Sequence, residues 1–193
     1  MLETKATFNE TTDGYTYVPA GSYPMHIVDY DVYTMKDGNS MVFNLKFRIA
    51  DEVKKLEVEK IVKNGDGQMT TVDDEEGNPI RVSAKFLAGK EYQNKGVWLT
   101  ANPAEGEGWK NRAYKTFCEN LGIEFPKDED GNIQLMQIEE EDVIGLPCLG
   151  NLQSVTFEND AGEEISIMKV VEVFPWASGQ KLPAEEIGEE VPF

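Results

Sequence analysis

From Gly21 to Ile49 apolar and polar side chains alternate with a period of two. Met41, Phe43, Leu45, Phe47 and Ile49 fall on one side of an extended segment, and Val42, Asn44, Lys46 and Arg48 on the other. That period, carried by aromatic and aliphatic residues, predicts a half-buried strand. Asp37-Gly38-Asn39 precedes it and supplies residues that tolerate positive φ, so a tight hairpin is expected there. The arm before the turn alternates through Tyr23, Met25 and Ile27, slips by one residue, and resumes at Val28, Tyr30 and Val32. Such a slip predicts a β-bulge, which lets a long strand coil around a barrel.

The remaining pattern is read outward from this hairpin. Residues 1–20 are polar and Thr-rich, a leader pinned at most by Tyr15, Tyr17 and Val18. After a turn at Asp51-Glu52, Lys54 to Lys63 alternates roughly and predicts a third strand. Residues 64–79, with Gly65, Gly67, Gly77 and the run Asp73-Asp74-Glu75-Glu76, read as a mobile loop or hairpin tip. Ile80, Val82, Ala84 and Phe86 alternate again. Val97-Trp98-Leu99 is a short strand or a docking segment. Trp109 to Leu121 predicts a helix, with Trp109, Ala113, Phe117 and Leu121 four apart, Tyr114 and Cys118 widening the stripe, and Gly122 as its stop. An acidic connector (124–142) leads to strands over Val143–Phe157 and Glu163–Phe174, joined by a turn at Asn159-Asp160-Ala161-Gly162. Nothing periodic follows Pro175.

The expected fold is mainly β: an OB-fold-like five-stranded antiparallel barrel over residues 21–174, with one helix from Trp109 to Leu121. A sandwich with one helix is the competing architecture. Residues 175–193 are expected to form a disordered acidic tail.

Charge changes the picture only once it is located. The net charge of -18 over 193 residues argues against a polyanionic partner. Yet Lys36 to Lys115 holds 14 of the 18 basic residues against 13 acidic ones, so the negative excess belongs to the ends. No apolar run approaches a membrane span, and Met-Leu-Glu-Thr-Lys lacks the features of a signal peptide, so a cytoplasmic protein is expected. Cys118 and Cys148, far apart and without metal-ligand spacing, fit reduced thiols better than a disulfide.

Catalytic chemistry finds little to build on. His26 is the one histidine and lies in a predicted strand, so no Ser/His/Asp or Cys/His set assembles without it. The carboxylate run at 73–76 lacks the alternating ligands of a calcium loop. Asn102 to Gly108 offers glycines for a phosphate cradle, but Glu105 and Glu107 would repel phosphate. The expectation is no enzyme, no cofactor and no metal.

Single-stranded nucleic acid is held by cations along the phosphates and by aromatic faces under the bases. Lys46 and Arg48 on the second strand, and Lys54, Lys60 and Lys63 on the expected third, are the candidate phosphate contacts. Tyr30, Tyr33 and Trp98 are the candidate stacking platforms, with Tyr92 a further aromatic.

The chain closes on Glu189-Glu190-Val191-Pro192-Phe193. This tip resembles that of bacterial single-stranded-DNA-binding proteins: acids, a β-branched residue, Pro and Phe, here with glutamates for the usual aspartates and valine for isoleucine. Residues 20–174 resemble phage single-stranded-DNA-binding proteins with an OB-fold, through Gly-Ser-Tyr and its alternating residues, the Lys-Asp-Gly-Asn turn, and a Trp-led helix ending Leu-Gly. The resemblance implies non-specific single-stranded-DNA binding in phage replication or recombination. It also implies that the tip recruits replication or recombination proteins, Phe193 filling an apolar pocket while its carboxylate meets a cation. Homodimerisation stays open. The alternative is an acidic interaction module, or nucleic-acid mimic, that binds a basic host protein.

Overall fold

A computed structural model describes residues 16–66, 68–159 and 161–187. The predicted hairpin is its spine: β1 (Gly21–Thr34) and β2 (Ser40–Ile49) pair antiparallel, from Thr34 opposite Met41 to Met25 opposite Ile49. The register shifts between Ile27 and Asp29, so the bulge falls at the sequence slip. Asp37 Oδ1 accepts the Asn39 and Ser40 amides at 2.9 Å in the turn, and Gly38 takes φ 66°.

Further along lie β3 (Glu57–Glu59), β4 (Ile61–Lys63), β5 (Met69–Thr71), β6 (Arg81–Ser83), β7 (Glu91–Gln93) and β8 (Val97–Thr100). The helix α1 (Arg112–Asn120) continues a 3-10 turn over Gly108–Asn111, so the helical stretch covers most of the predicted one. A short helix α2 (Glu140–Val143) precedes β9 (Pro147–Glu158) and β10 (Glu164–Phe174), and α3 (Ala184–Ile187) follows.

The main sheet runs β10-β9-β1-β2-β7, with β8 pairing the other end of β2. It closes on itself where Asn94 bridges Val170 in parallel and the Lys95 amide donates to Val170 O at 3.0 Å. Five wall positions, antiparallel but for that closure, with a helix between the third and fourth, make an OB-like barrel. Asn94 also mends the wall where β7 gives way to β8. Its carboxamide accepts from the Leu45 amide and donates to Phe43 O, both at 3.1 Å.

Inside lie Met25, Ile27, Phe43, Leu45, Phe47 and Ile49, all 1% exposed or less. Tyr114 comes up from α1 beneath Phe43, ring centroids 5.2 Å apart. Its hydroxyl donates to Met136 O at 2.7 Å and accepts the Ile138 amide at 2.9 Å, tying the acidic connector to the core. The buried stripe of the helix is Tyr114, Phe117, Cys118 and Leu121, while Ala113 and Trp109 face solvent, Trp109 at 65% exposure. The tighter 3-10 turn at its start rotates Trp109 off the stripe that a uniform 3.6-residue period predicts.

The third wall strand is not Lys54–Lys63. Asp51–Lys55 forms a 3-10 turn, and β3 and β4 enter separate two-stranded sheets with β6 and β5. The arm branches at a triangle of backbone bonds: Lys60 N–H to Ile80 O at 2.7 Å, Ile80 N–H to Val72 O at 2.7 Å, and Val72 N–H to Lys60 O at 2.9 Å. Its base closes where the Ala84 amide donates to Leu56 O at 3.0 Å. The place beside β2 goes to β7 and β8, which bring Tyr92, Val97 and Leu99 against the core. The segment 57–63 alternates around Val58 alone before its phase breaks, too little to hold a wall position.

Residues 175–187, the first part of the expected tail, lie along the barrel. The Trp176 ring sits 5.5 Å from His26, whose Nε2 donates to Gln180 O at 3.0 Å. The Leu182 amide donates to Gly145 O at 3.0 Å. Gly145 has φ 81°, and a Cβ there would lie 2.6 Å from Leu182 O. These are mostly backbone contacts, which leave no mark in a hydrophobic pattern. The tip, Glu189 to Phe193, lies outside the described residues.

Candidate nucleic-acid interface

Cross-strand partners share a face of a sheet, so the register defines one outer row after another. The first row is Tyr33, Val42 and Trp98, set across β1, β2 and β8. Tyr33 and Trp98 are each 48% exposed, whereas Val42 between them is covered, at 2%. Gly96, at φ 91°, lies over this row, with Val42 Cγ1 3.4 Å from where its Cβ would be. The next row is Asp31 and Asn44, followed by Asp29, Lys46 and Gln93, and then by His26, Arg48 and Glu91. The outer face is therefore aromatic at one end and charged at the other, and it spans the first three wall positions of the barrel, β1, β2 and then β7 or β8.

The charges on it are nearly balanced. Lys46 Nζ lies 3.3 Å from Asp29 and 3.8 Å from Glu91. Arg48 meets Glu91 at 2.8 Å, and its other donors reach Glu186 O at 3.3 Å and Ile187 O at 3.1 Å, on α3. These are partly exposed pairs, individually worth about 0–1 kcal/mol, so a polyanion can exchange for the carboxylates at small cost. Burial lowers the His26 pKa, against the raising effect of its bond to Gln180 and of Glu52 and Glu186.

Four other candidates take different places. Tyr30 faces the interior: its ring lies 6.4 Å from Phe43 and its hydroxyl donates to Ile138 O at 2.8 Å. Burial pushes that phenol upward, and the half-buried ring packs against the core instead of standing on the outer face. Lys54 sits on the 3-10 turn, 2.7 Å from Asp51. Lys60 is 7% exposed at the branch of the arm, and Lys63 is on β4. The sheet therefore gathers Tyr33, Trp98, Lys46 and Arg48, and not Tyr30, Lys54, Lys60 or Lys63. Tyr92, opposite Phe47, is half-buried and points inward too.

Lys95 was not among the sequence candidates. It is exposed in the link between Gln93 and Trp98, and it makes no ion pair among the described residues. Asn94-Lys95-Gly96 looks like an ordinary turn, and only the strand switch from β7 to β8 gives it meaning.

Other chemistry has little footing among the described residues. No group of three or more His, Cys, Asp and Glu is placed to hold a metal ion. Cys118 and Cys148 are buried, which pushes both thiols up to about 12 and keeps them protonated. An open cavity of about 540 Å³, lined by Glu119, Ile123, Glu124, Phe125, Lys127 and Ile133 among others, contains none of the candidate residues. Among the described residues, no helix is long and apolar enough to cross a membrane. Compared with family models, curated proteins and solved structures, the chain matches none.

Proposed function

We propose that this chain binds single-stranded DNA, with little sequence preference, across the outer face of β1, β2, β7 and β8. The observation that carries the proposal is the pair of exposed rings, Tyr33 and Trp98, in one row of that face. Every base has a π-face, so rings on a rigid sheet accept any sequence. Lys46 and Arg48 take the phosphates, exchanging Asp29 and Glu91 for them, and Lys95 joins from the neighbouring link. The strands 2–3 face is also where OB-folds take oligonucleotides. The resemblance of the tip and of residues 20–174 to single-stranded-DNA-binding proteins supports the context: phage replication or recombination in the host cytoplasm. Glu189, Glu190, Val191, Pro192 and Phe193 recruit a replication or recombination protein to the bound strand.

Fluorescence anisotropy with labelled oligo-dT tests the proposal on the full chain. Binding that weakens steeply with salt and falls when Trp98 or Tyr33 becomes alanine is expected. Absence of binding at low salt would overturn it.

The carboxylates on the same face favour a second reading. Asp29, Asp31 and Glu91 sit among its cations, which suits an acidic module docking on a basic host protein. Capture of such a protein by a chain with no oligo-dT affinity, lost when these three acids are replaced by their amides, would select it.

A further inference from the structure

The β9–β10 hairpin outruns the barrel that carries it. β1 covers β9 only from Pro147 to Leu152, and the parallel bridge holds β10 at Val170. Beyond those points, residues 153–158 and 164–169 pair only with each other. A lone two-stranded ribbon is marginal in water. This one is also amphipathic in an unexpected sense.

On the barrel, the face of β9 and β10 that carries Cys148, Leu152 and Val170 is the buried one. Past Met168, which still packs against the core, that face turns polar: Thr156 and Ser166 share a hydrogen bond at 2.8 Å, and Glu158 stands opposite Glu164. The outward face turns apolar instead. Val155 pairs with Ile167 and Phe157 with Ile165. Phe157, Ile165 and Ile167 are 43%, 36% and 38% exposed. The ribbon is thus apolar on the side that continues the barrel's outer surface, where Leu149 stands opposite Phe174, and an apolar outer face on a projecting ribbon calls for a cover.

We propose that the cover is the same ribbon of a second copy of this chain, the two packing face to face and antiparallel about a two-fold axis. Charge decides both the occupant and its direction. The ribbon tip carries Glu158, Glu163 and Glu164, which would repel a polyanion lying along it. Its base carries Lys169, on the apolar face, and Lys95 nearby. Lys169 has no ion pair among the described residues, its Nζ reaching only Asn94 O at 3.5 Å. One carboxylate at the base, Glu172, accepts from Asn151 Nδ2 at 3.4 Å. Antiparallel packing sets the acidic tip of each copy beside the other's Lys169 and Lys95, whereas parallel packing stacks acids on acids. A two-fold contact repeats each of these pairings twice. The inference does not depend on what the outer face of β2 binds.

Light scattering of the full chain between about 1 and 100 μM, where a small interface of this kind assembles, tests it. The expected mass is twice the 21.7 kDa of one chain. Phe157→Ser with Ile167→Thr should return the mass to that of one chain and leave a cooperative thermal transition that no longer shifts with protein concentration. Lys169→Glu should weaken the dimer. If the double variant does not fold, Val155→Cys in the otherwise native chain decides, because Cys118 and Cys148 are buried. A short bis-maleimide then yields a covalent dimer if the ribbons face one another, and no cross-link overturns the proposal. A monomeric wild type across the range, or a dimer indifferent to the ribbon variants, overturns it as well. Loss of oligo-dT affinity in the double variant of a monomeric protein would assign the face to nucleic acid instead.

Discussion

β2 and the segment Leu56–Lys63 have much the same composition: apolar residues alternating with polar ones, lysines among them. One became the spine of the barrel and the other a branched arm. In β2, five consecutive inward positions are apolar, all paired with β1 on one side; on the other, Met41 and Phe43 meet β8, Phe47 meets β7, and Leu45 and Ile49 bond to Asn94 and Lys90 in the flanking links. In the arm the alternation breaks at Lys60, which turns in to the branch point at 7% exposure. The difference teaches that alternation specifies a strand only when enough of it can be buried at once. It also separates the lysines: Lys46 and Arg48 stand on a rigid wall beside two exposed rings, whereas Lys60 and Lys63 stand on three-residue strands.

The strongest way to break this comparison is at the core. Phe47→Ala should cost about 3–5 kcal/mol in a urea melt, because a fully buried ring leaves a cavity. A loss below ~1 kcal/mol would mean that the wall is as plastic as the arm.

Next come the rings. Trp98→Ala or Tyr33→Ala should each weaken oligo-dT binding by about 1–3 kcal/mol and leave the melt nearly unchanged. Equal losses from Tyr30→Phe, which removes only the bond to Ile138 O, would contradict the row described above.

Arg48→Gln is a finer probe. It should reduce the slope of log affinity against log salt by about 0.7, the value for one phosphate contact on a single strand. The stability cost should stay near 1 kcal/mol or less, as for other partly exposed pairs.

The charged end of the same face responds to acid through His26. Its folded pKa is depressed by burial, so the unfolded chain binds the proton more readily. Its contribution to stability is present above the unfolded value of about 6.5 and is lost as pH falls from there through the folded value. Urea midpoints for the wild type and His26→Gln should therefore differ in their pH dependence below neutrality, the wild type losing more. Parallel curves would remove His26 from the account.

The smallest effect is expected from the arm itself. Its attachments are the backbone bond between Leu56 and Ala84, the Tyr17 amide on Ile61 O and Val58 against the core, none of them on the outer face of β2, so Glu57–Ser83 can be replaced by a short turn at a cost in stability. Oligo-dT affinity should then hold within about twofold, the ~0.5 kcal/mol scatter of sites that do not touch. A large loss would return Lys60 and Lys63 to the binding surface.

The sequence alone determined the hairpin, its bulge at Val28, the turn at Asp37-Gly38-Asn39, the helix and the β9–β10 pair. In each, hydrophobic periodicity or turn chemistry is local and strong. It also held Tyr33, Trp98, Lys46 and Arg48 as candidates. Only the tertiary structure decided that these four share a face while Tyr30 turns inward, that β7 and β8 rather than residues 54–63 complete the wall, and that Lys95 stands exposed in the link between them. It decided, too, that Pro175–Ile187 lies against His26, Gly145 and Arg48. Such outcomes turn on which strand wins a place beside β2 and on where backbone carbonyls find donors. Those are long-range competitions, settled by total burial and closure of the barrel, and a local pattern does not encode them.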